Sequence, residues 1–161
     1  MLLILLIILL CFTFVIVIGA PYLPTFKYQQ TLALNMLDLK KGQAVLDIGS
    51  GDGRFLRAAA KKGIVAYGIE ANPILVLISY FVTWRYRKLV HIKWGNMWQT
   101  KWPEVQGVYA FLHTRFMQKL DTKLVSEYTK NGKHVLLASY AFTIPNKKPF
   151  KELGALFLYK Y

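Results

Sequence analysis

The chain of 161 residues has room for one domain of ordinary size and excludes a separate substrate domain. It carries 21 basic and 8 acidic residues, and the resulting net charge of +13 favours anionic partners such as phospholipid head groups, nucleic acid phosphates or acidic proteins. The single cysteine, Cys11, excludes an intramolecular disulfide.

The first stretch of the chain, Leu2–Ile18, contains no charged residue and no proline. Its length is at the short end of what crosses a bilayer as a helix. A secretory signal peptide is the competing interpretation, but no lysine or arginine precedes the apolar run. Because every cation lies from Lys27 onwards, the pattern predicts an uncleaved transmembrane anchor over residues 1–20, a single pass with the rest of the chain on the cytoplasmic side of a membrane.

Two prolines follow the anchor and mark a connector. Pro21 and Pro24 forbid continuation of a helix. Residues 21–42 are therefore predicted to be a linker and a pre-domain helix over Phe26–Leu37, with Thr25 as its cap. Residues 43–161 are predicted to form the folded domain.

A glycine-rich turn after the first strand is the most informative part of the chain. Gln43–Ile48 is apolar with β-branched residues and predicts a buried strand, and Phe55–Lys62 predicts a helix. Strand, glycine turn and helix are typical of a Rossmann-like unit that presents a nucleotide to backbone N–H groups. A dinucleotide site would have its third glycine where this chain has Arg54.

The spacing Asp47-x-Gly49-x-Gly51-x-Gly53 resembles motif I of the class I S-adenosylmethionine (SAM) methyltransferases. In that motif an acid at the strand end faces the cationic methionine part of the cofactor, and an acid after the next strand holds the ribose hydroxyls. Ile64–Ile69 predicts that strand, and Glu70 follows it. A purely structural turn and a site for another nucleotide are the alternatives.

The segment after Glu70 predicts a very apolar helix from Ile74 to about Tyr86, with Asn72 as N-cap and Pro73 at its first position. We expect this helix to be buried between the sheet and the pre-domain helix. The alternative is that one side rests on a bilayer surface. The residues suited to such an interface are Trp84, Arg85, Tyr86, Arg87 and Lys88.

The remaining elements complete an α/β fold, a Rossmann-like class I methyltransferase sheet with helices on both faces, preceded by one N-terminal transmembrane helix. The final strand is expected to form a hairpin with the strand before it. The predicted strands are Val90–Trp94, Val105–Leu112, Lys133–Phe142 and Ala155–Tyr161, and the predicted helix is Arg115–Lys130.

Two strand ends carry further candidate residues. Asn96 stands where the methyltransferase pattern has an acid for the adenine amino group, and its side-chain carbonyl can accept the same hydrogen bond. Met97 and Trp98 are candidates to pack on the adenine, and equally Trp98 can cover the sheet edge together with Trp102. His113 is a weak candidate proton acceptor, against a structural role for the same residue. No metal site is predicted.

With these parts in place, Pro21–Thr25, Val45–Arg54 and Gly68–Pro73 resemble the small membrane-anchored protein lysine methyltransferases. This group includes mitochondrial enzymes acting on the adenine nucleotide translocase and the ATP synthase c-subunit, and archaeal relatives. The resemblance implies SAM as cofactor and a lysine amine of a membrane-associated protein as methyl acceptor. It also implies a set of cofactor contacts: Asp47, Gly49, Ser50, Gly51 and Gly53 at the methionine end, Glu70 at the ribose, Asn72 beside them, and Thr25 or Pro24 covering the site.

The chain departs from the family at Asn96, and the strand before His113 ends without an acid or an Asn-Pro-Pro-Tyr signature. Methylation of the amino group of adenine or glutamine is therefore not supported. Methylation of RNA or a small molecule remains an alternative function. A membrane-attached SAM-binding or interaction module without turnover is the alternative from another class.

Overall fold

The structure is a computed structural model that describes residues 27–161, in which helices and strands alternate from Lys27 to Trp94. The helices are α1 (Lys27–Leu37), α2 (Arg54–Lys61), α3 (Pro73–Thr83) and α4 (Met117–Glu127), with three short 3₁₀ turns at Trp84–Tyr86, Thr114–Phe116 and Thr129–Asn131. The strands are β1 (Ala44–Ile48), β2 (Val65–Glu70), β3 (Val90–Trp94), β4 (Gly107–Ala110), β5 (Leu136–Tyr140), β6 (Lys151–Leu153) and β7 (Leu156–Lys160).

The seven strands form one sheet in the order β3-β2-β1-β4-β5-β7-β6. Strands β1 to β5 pair in parallel, and β7 pairs antiparallel with both β5 and β6. The strand order reverses between β1 and β4, and in open α/β sheets ligands bind beside such a switch point, at the carboxyl ends of the strands. The glycine turn follows β1 at this edge.

Two apolar cores lie on opposite faces of the sheet, which confirms the prediction of helices on both faces. One core holds the buried sides of α1 and α2, and the other holds Met117, Leu120 and Leu124 of α4. Strand residues alternate between the cores, so that Val45 contacts the first and Leu46 the second. This alternation is what a sheet covered on both sides requires.

Most predicted elements are present, and two differ in a way that has a physical cause. The predicted helix Arg115–Lys130 is divided into α4 and the two 3₁₀ turns beside it, the second of which ends at Gly132 in the left-handed conformation (φ 68°). The short strand β6 was not predicted, because all three of its residues are exposed and no alternation of apolar side chains marks it. Strand β6 precedes β7 in the chain and forms a hairpin with it. Strand β7 also pairs antiparallel with β5, as expected.

The expectation that the helix after Glu70 is buried between the sheet and the pre-domain helix is wrong. Helix α3 packs on α2 and β3 at the edge of the sheet, whereas α1 lies over β5, β7 and α2. One side of α3 is therefore left uncovered by residues 27–161, and its large apolar side chains are exposed.

No helix between Lys27 and Tyr161 is long and apolar enough to cross a membrane. The predicted anchor at residues 1–20, the linker and the predicted cap Thr25 lie outside the described residues. Helix α1 is described from Lys27 to Leu37, and Phe26, the predicted first residue, also lies outside the described residues.

Candidate active site

The glycine turn after β1 is fastened to the end of β2 by backbone hydrogen bonds. The N–H groups of Gly49 and Ser50 both donate to the carbonyl oxygen of Ile69, at 2.9 and 3.2 Å. The φ angles of Gly49, Gly51 and Gly53 are 79°, 55° and 78°, which is the left-handed region that favours glycine. The turn therefore needs glycine at the three positions that the motif provides.

Two of these glycines have different surroundings. A Cβ atom at Gly53 would lie 2.1 Å from the Ser79 Oγ atom of α3, so this position is closed by the packing of the helix. A Cβ atom at Gly49 would meet nothing within 4 Å. Helix α3 therefore packs against the turn at Gly53. At Gly49 the turn is open, and a ligand can approach the backbone closely there.

Two acidic side chains are buried beside the turn, Asp47 in β1 and Glu70 at the end of β2, each with 5% of its surface exposed. The two carboxylate oxygens of Glu70 accept hydrogen bonds from the N–H of Gly51 at 2.9 Å and from the N–H of Asn72 at 2.8 Å. A carboxylate has about four lone-pair positions. Glu70 therefore holds the turn in place and still has capacity to accept hydroxyl groups of a ligand.

Burial changes the ionisation of both acids. Burial, then the negative charges of Glu70 and Asp52, raise the pKa of Asp47 well above its usual range. Burial also raises the pKa of Glu70, although hydrogen bonds from backbone N–H groups oppose the change. A cationic group placed among these acids would reverse the penalty on Asp47. The site thus suits a ligand that brings a positive charge and hydroxyl donors.

The turn also contains an ion pair that the sequence-based prediction missed. The Arg54 guanidinium binds the Asp52 carboxylate through Nε, at 2.9 Å to each oxygen, and through Nη2. Asp52 also accepts a hydrogen bond from the Arg54 backbone N–H at 3.3 Å. The signal was present in the Gly-Asp-Gly-Arg sequence, in which the acid and the base flank Gly53. The pair braces the turn at the start of α2.

The hydrogen bonds that Asn72 and Ser50 make are to other parts of the protein, and they stabilise the fold. Asn72 is fully buried, and its Oδ1 atom accepts from the N–H of Ile74 at 2.9 Å, so it caps α3 as predicted. Its Nδ2 atom and the Ser50 Oγ atom are buried without a hydrogen-bond partner among the described residues. These orphaned groups lie beside Glu70 and the turn, where a polar ligand would find donors.

The residues predicted to hold the adenine lie in the loop after β3. The Asn96 Oδ1 atom accepts from the N–H of Trp98 at 2.9 Å, so one lone pair of this carbonyl is used inside the loop. Met97 is buried in the core, and its carbonyl oxygen accepts from the Trp102 indole at 2.9 Å. Trp98 is half-buried against Phe116. Trp102 covers the sheet, and the adenine contacts stay a prediction.

His113 is exposed after β4, and its role as a proton acceptor stays a prediction. Its Nδ1 atom accepts from the backbone N–H of Arg115 at 3.4 Å, which starts the 3₁₀ turn there. The ring also contacts Phe142, with 5.6 Å between centroids.

A parallel sheet with a β1 glycine turn, acids at the ends of two adjacent strands and an antiparallel seventh strand defines a Rossmann-like methyltransferase fold. A solved structure titled an RNA methyltransferase from Salinibacter ruber in complex with S-adenosyl-L-homocysteine superposes on it with a TM-score of 0.77. That likeness covers 86% of this chain and 92% of the other, at 26% identity.

Residues 47–151 match the family described as ANTKMT methyltransferase domain, and the chain belongs to this family. It is 36% identical over 136 residues to a lysine N-methyltransferase of Xenopus laevis that is named for the ATP synthase c-subunit, over 83% of this chain and 58% of the relative. It is 30% identical over 137 residues to the adenine nucleotide translocase lysine N-methyltransferase of Mus musculus, again over 83% and 58%. The chain therefore spans little more than half the length of these relatives.

Proposed function

We propose that the protein is a SAM-dependent methyltransferase that methylates a lysine amine of a membrane-associated protein. The observation that carries the proposal is the pair of buried acids, Asp47 and Glu70, set on either side of an open glycine turn in a chain of the ANTKMT methyltransferase family. The lysine substrate rests on the curated relatives, which are named as lysine N-methyltransferases.

Residues of the turn would hold the cofactor. Glu70 would accept the ribose hydroxyls with the lone pairs that its two backbone donors leave unused. Asp47 would face the cationic methionine end, because only a positive charge offsets the burial of its carboxylate. Gly49 leaves the space that such a ligand needs. Asn96, Met97 and, outside the described residues, Thr25 complete the proposed contacts.

When bound, SAM supplies a methyl group on a positively charged sulfur, which needs no further activation. The chain then has to bind a neutral lysine amine in line with that group and exclude water, since alignment alone lowers the barrier of such a displacement. The amine can lose its proton to solvent before alignment, and His113 is not needed for that step.

We further propose that residues 1–20 anchor the protein to a membrane by a single pass, with the domain on the cytoplasmic side. Support comes from the uncharged run Leu2–Ile18 and from the cations that lie on its C-terminal side only. Such an anchor would hold the site near membrane-embedded substrates. The excess of cations also fits contact with anionic lipids.

RNA is the second candidate substrate, and two observations favour it: the net charge of +13 and the likeness to the structure titled an RNA methyltransferase. A module that binds SAM without turnover is the third possibility, supported by Asn96 in place of an acid.

The test incubates the full chain in detergent micelles with methyl-tritiated SAM and, in separate tubes, a membrane protein extract and total RNA. We expect label in protein, recovered as methyllysine after acid hydrolysis. Label in RNA alone would show that RNA is the substrate in place of a protein lysine. SAM binding measured by calorimetry, with no label transferred to protein or RNA, would favour the module that binds SAM without turnover.

The cofactor site is tested by Glu70→Gln, with Glu152→Gln on the exposed strand β6 as the matched control. Hydrogen bonds to a charged group contribute about 1.5–3 kcal/mol, so Glu70→Gln should weaken SAM binding about tenfold to a hundredfold. Circular dichroism confirms that each variant is folded. Unchanged SAM affinity in a folded Glu70→Gln protein would remove this residue from the site. His113→Ala is expected to keep turnover.

A further inference from the structure

The largest exposed apolar surface of the described residues lies on α3 and the edge strand β3. The side chains that share one side of the helix are 41% to 74% exposed, and the Trp94 side chain of β3 joins them with 66%. We call this the α3 patch: Leu77, Ile78, Tyr80, Phe81, Trp84 and Trp94. Single exposed apolar residues are ordinary, but a contiguous group of six that includes three aromatic types indicates a contact surface.

The Tyr80 hydroxyl and the Trp94 indole N–H of the patch are both bound to backbone carbonyl oxygens of the protein. The Tyr80 hydroxyl donates to the carbonyl oxygen of Ile92 at 3.0 Å, and the Trp94 indole N–H donates to the carbonyl oxygen of Ala71 at 3.0 Å. These bonds fix both rings against the sheet edge with their faces outward. Helix α3 itself has no charged residue, and its 11 residues span about 16 Å.

Cations without counterions border the patch. No acidic residue occurs between Glu70 and Glu104, whereas Arg85, Arg87 and Lys88 follow α3 directly within this interval. All carboxylates of the chain lie within the described residues, and their ion pairs go to other cations. The Arg87 guanidinium lies 5.2 Å from the centre of the Trp84 ring, which places a positive charge directly at the border of the hydrocarbon.

We propose that the α3 patch docks on the surface of a bilayer that contains anionic lipids. A short helix with leucine, phenylalanine and tryptophan on one side and basic residues beside them is the composition of interfacial helices. The hydrocarbon enters the boundary between head groups and acyl chains, while the cations reach the head-group phosphates. A second copy of the chain would instead bring a second set of cations against the first.

The position of the patch in the fold is consistent with this occupant. Helices α1, α2 and α3 lie on the same face of the sheet. The apolar run Leu2–Ile18, for which we propose a membrane anchor, precedes α1 in the sequence. The carboxyl end of β2, with Glu70, pairs with Trp94 of the patch, so docking would bring the edge of the active site to the membrane.

The test places one fluorescent label at a time on the full chain. Cys11 is the single cysteine, so Cys11→Ser provides a background in which Phe81→Cys or Leu77→Cys carries an environment-sensitive dye. Ser126→Cys, exposed on α4 at the opposite face of the sheet, is the matched control. Each protein is mixed with vesicles of phosphatidylcholine and phosphatidylglycerol, with lipid-borne nitroxide or aqueous iodide as quencher.

We expect lipid nitroxide to quench the label at position 81 or 77 several times more than the label at 126, and iodide to do the reverse. Equal quenching at both faces, or failure of the chain to float with vesicles, would overturn the proposal. Protection of position 81 from iodide without vesicles would overturn it as well, because another segment or a second copy would then cover the patch.

Charge is tested in the same assay. The triple change Arg85→Gln, Arg87→Gln and Lys88→Gln should reduce lipid quenching at position 81, and so should omission of phosphatidylglycerol. The control triple, Lys130→Gln, Lys148→Gln and Lys151→Gln, removes the same charge from exposed positions away from α3 and should leave quenching unchanged. Equal losses in the two triples would overturn the role of the cations at the patch.

Discussion

Helices α2 and α3 lie side by side on one face of the sheet, and each follows a strand with a buried acid near its carboxyl end, yet they expose opposite kinds of side chain. Helix α2 buries Phe55, Leu56, Ala59 and Ala60 and exposes its basic residues. Helix α3 buries Leu75, Val76, Ser79 and Thr83 and exposes its largest apolar residues. Hydrophobic periodicity therefore describes the packing of α2 but not that of α3.

The difference shows that α3 needs a small residue where it meets the glycine turn. Ser79 faces Gly53 at a distance that leaves no room for a methyl group between them. Small side chains on α3 let the helix approach the glycine turn, and the turn in turn holds the acids of the site. The helix leaves its aromatic side chains and two of its aliphatic ones for another partner, which we propose is a bilayer.

Two phenylalanines give the largest expected contrast. Phe55 in α2 is 2% exposed and stacks on Tyr109 with 4.3 Å between ring centroids, whereas Phe81 in α3 is 74% exposed. Phe55→Ala should lower the free energy of unfolding by about 3–5 kcal/mol. Phe81→Ala should change it by less than about 0.5 kcal/mol. Urea denaturation of both variants measures the contrast, and a large loss in Phe81→Ala would mean that the patch is covered within the protein.

The contact between the turn and α3 is tested by Gly53→Ala. Its φ of 78° costs about 1–2 kcal/mol in alanine, and overpacking against Ser79 adds about 1–3 kcal/mol. Gly132→Ala is the control, because its φ is 68° and nothing lies within 4 Å of the added methyl group. Ser79→Ala should restore part of the loss in Gly53→Ala. Equal destabilisation in the two glycine variants would show that the close approach has no energetic weight.

Asp47→Asn should change the free energy of unfolding by less than Gly53→Ala does, and it should raise that free energy instead of lowering it. Its pKa is raised in the folded protein, so between the ordinary and the raised pKa the folded state binds a proton that the unfolded state has lost. Stability in the absence of cofactor should then fall as the pH rises through this interval. Asp47→Asn should be more stable than the parent at neutral pH and less sensitive to pH, while it binds SAM more weakly.

Denaturation at several pH values measures this effect, with Asp38→Asn as control because Asp38 is exposed and pairs only with Lys40. Part of the pH dependence should remain in Asp47→Asn, since burial raises the pKa of Glu70 in the same direction. Identical profiles for Asp47→Asn and the parent would contradict the predicted cost of burying this carboxylate.

The sequence predicted those parts of the fold in which local pattern and tertiary position agree. The strand at β1, the glycine turn after it, the Asn72 cap and the acid at the end of β2 were all predicted, because each follows from spacing along the chain. The Asp52–Arg54 pair was also encoded locally but carried no periodic signal. The position of the candidate site, at the carboxyl ends of β1 and β2, could thus be predicted from the sequence. The cofactor contacts of Asn96 and Met97 stay predictions.

The features that the sequence did not predict depend on which elements pack next to each other in the fold. The apolar composition of α3 suits a buried helix and an interfacial helix equally well, and only the position of α1 over β5 and β7 separates the two. Exposed strand β6 depends on its pairing with β7 and has no pattern of its own.

The smallest expected effect distinguishes size from polarity on the inner side of α3. Thr83 is 3% exposed, and its hydroxyl donates to the Ser79 carbonyl oxygen at 2.7 Å, an acceptor one turn earlier in the same helix. Thr83→Val keeps the shape and removes this bond, which stabilises a helix little, so the free energy of unfolding should change by less than about 1 kcal/mol. Thr83→Leu adds volume where α3 meets its neighbours and should cost about 1–3 kcal/mol. If valine were as costly as leucine, the hydroxyl and not the available space would determine which residues face inward, and the exposure of the α3 patch would need another cause.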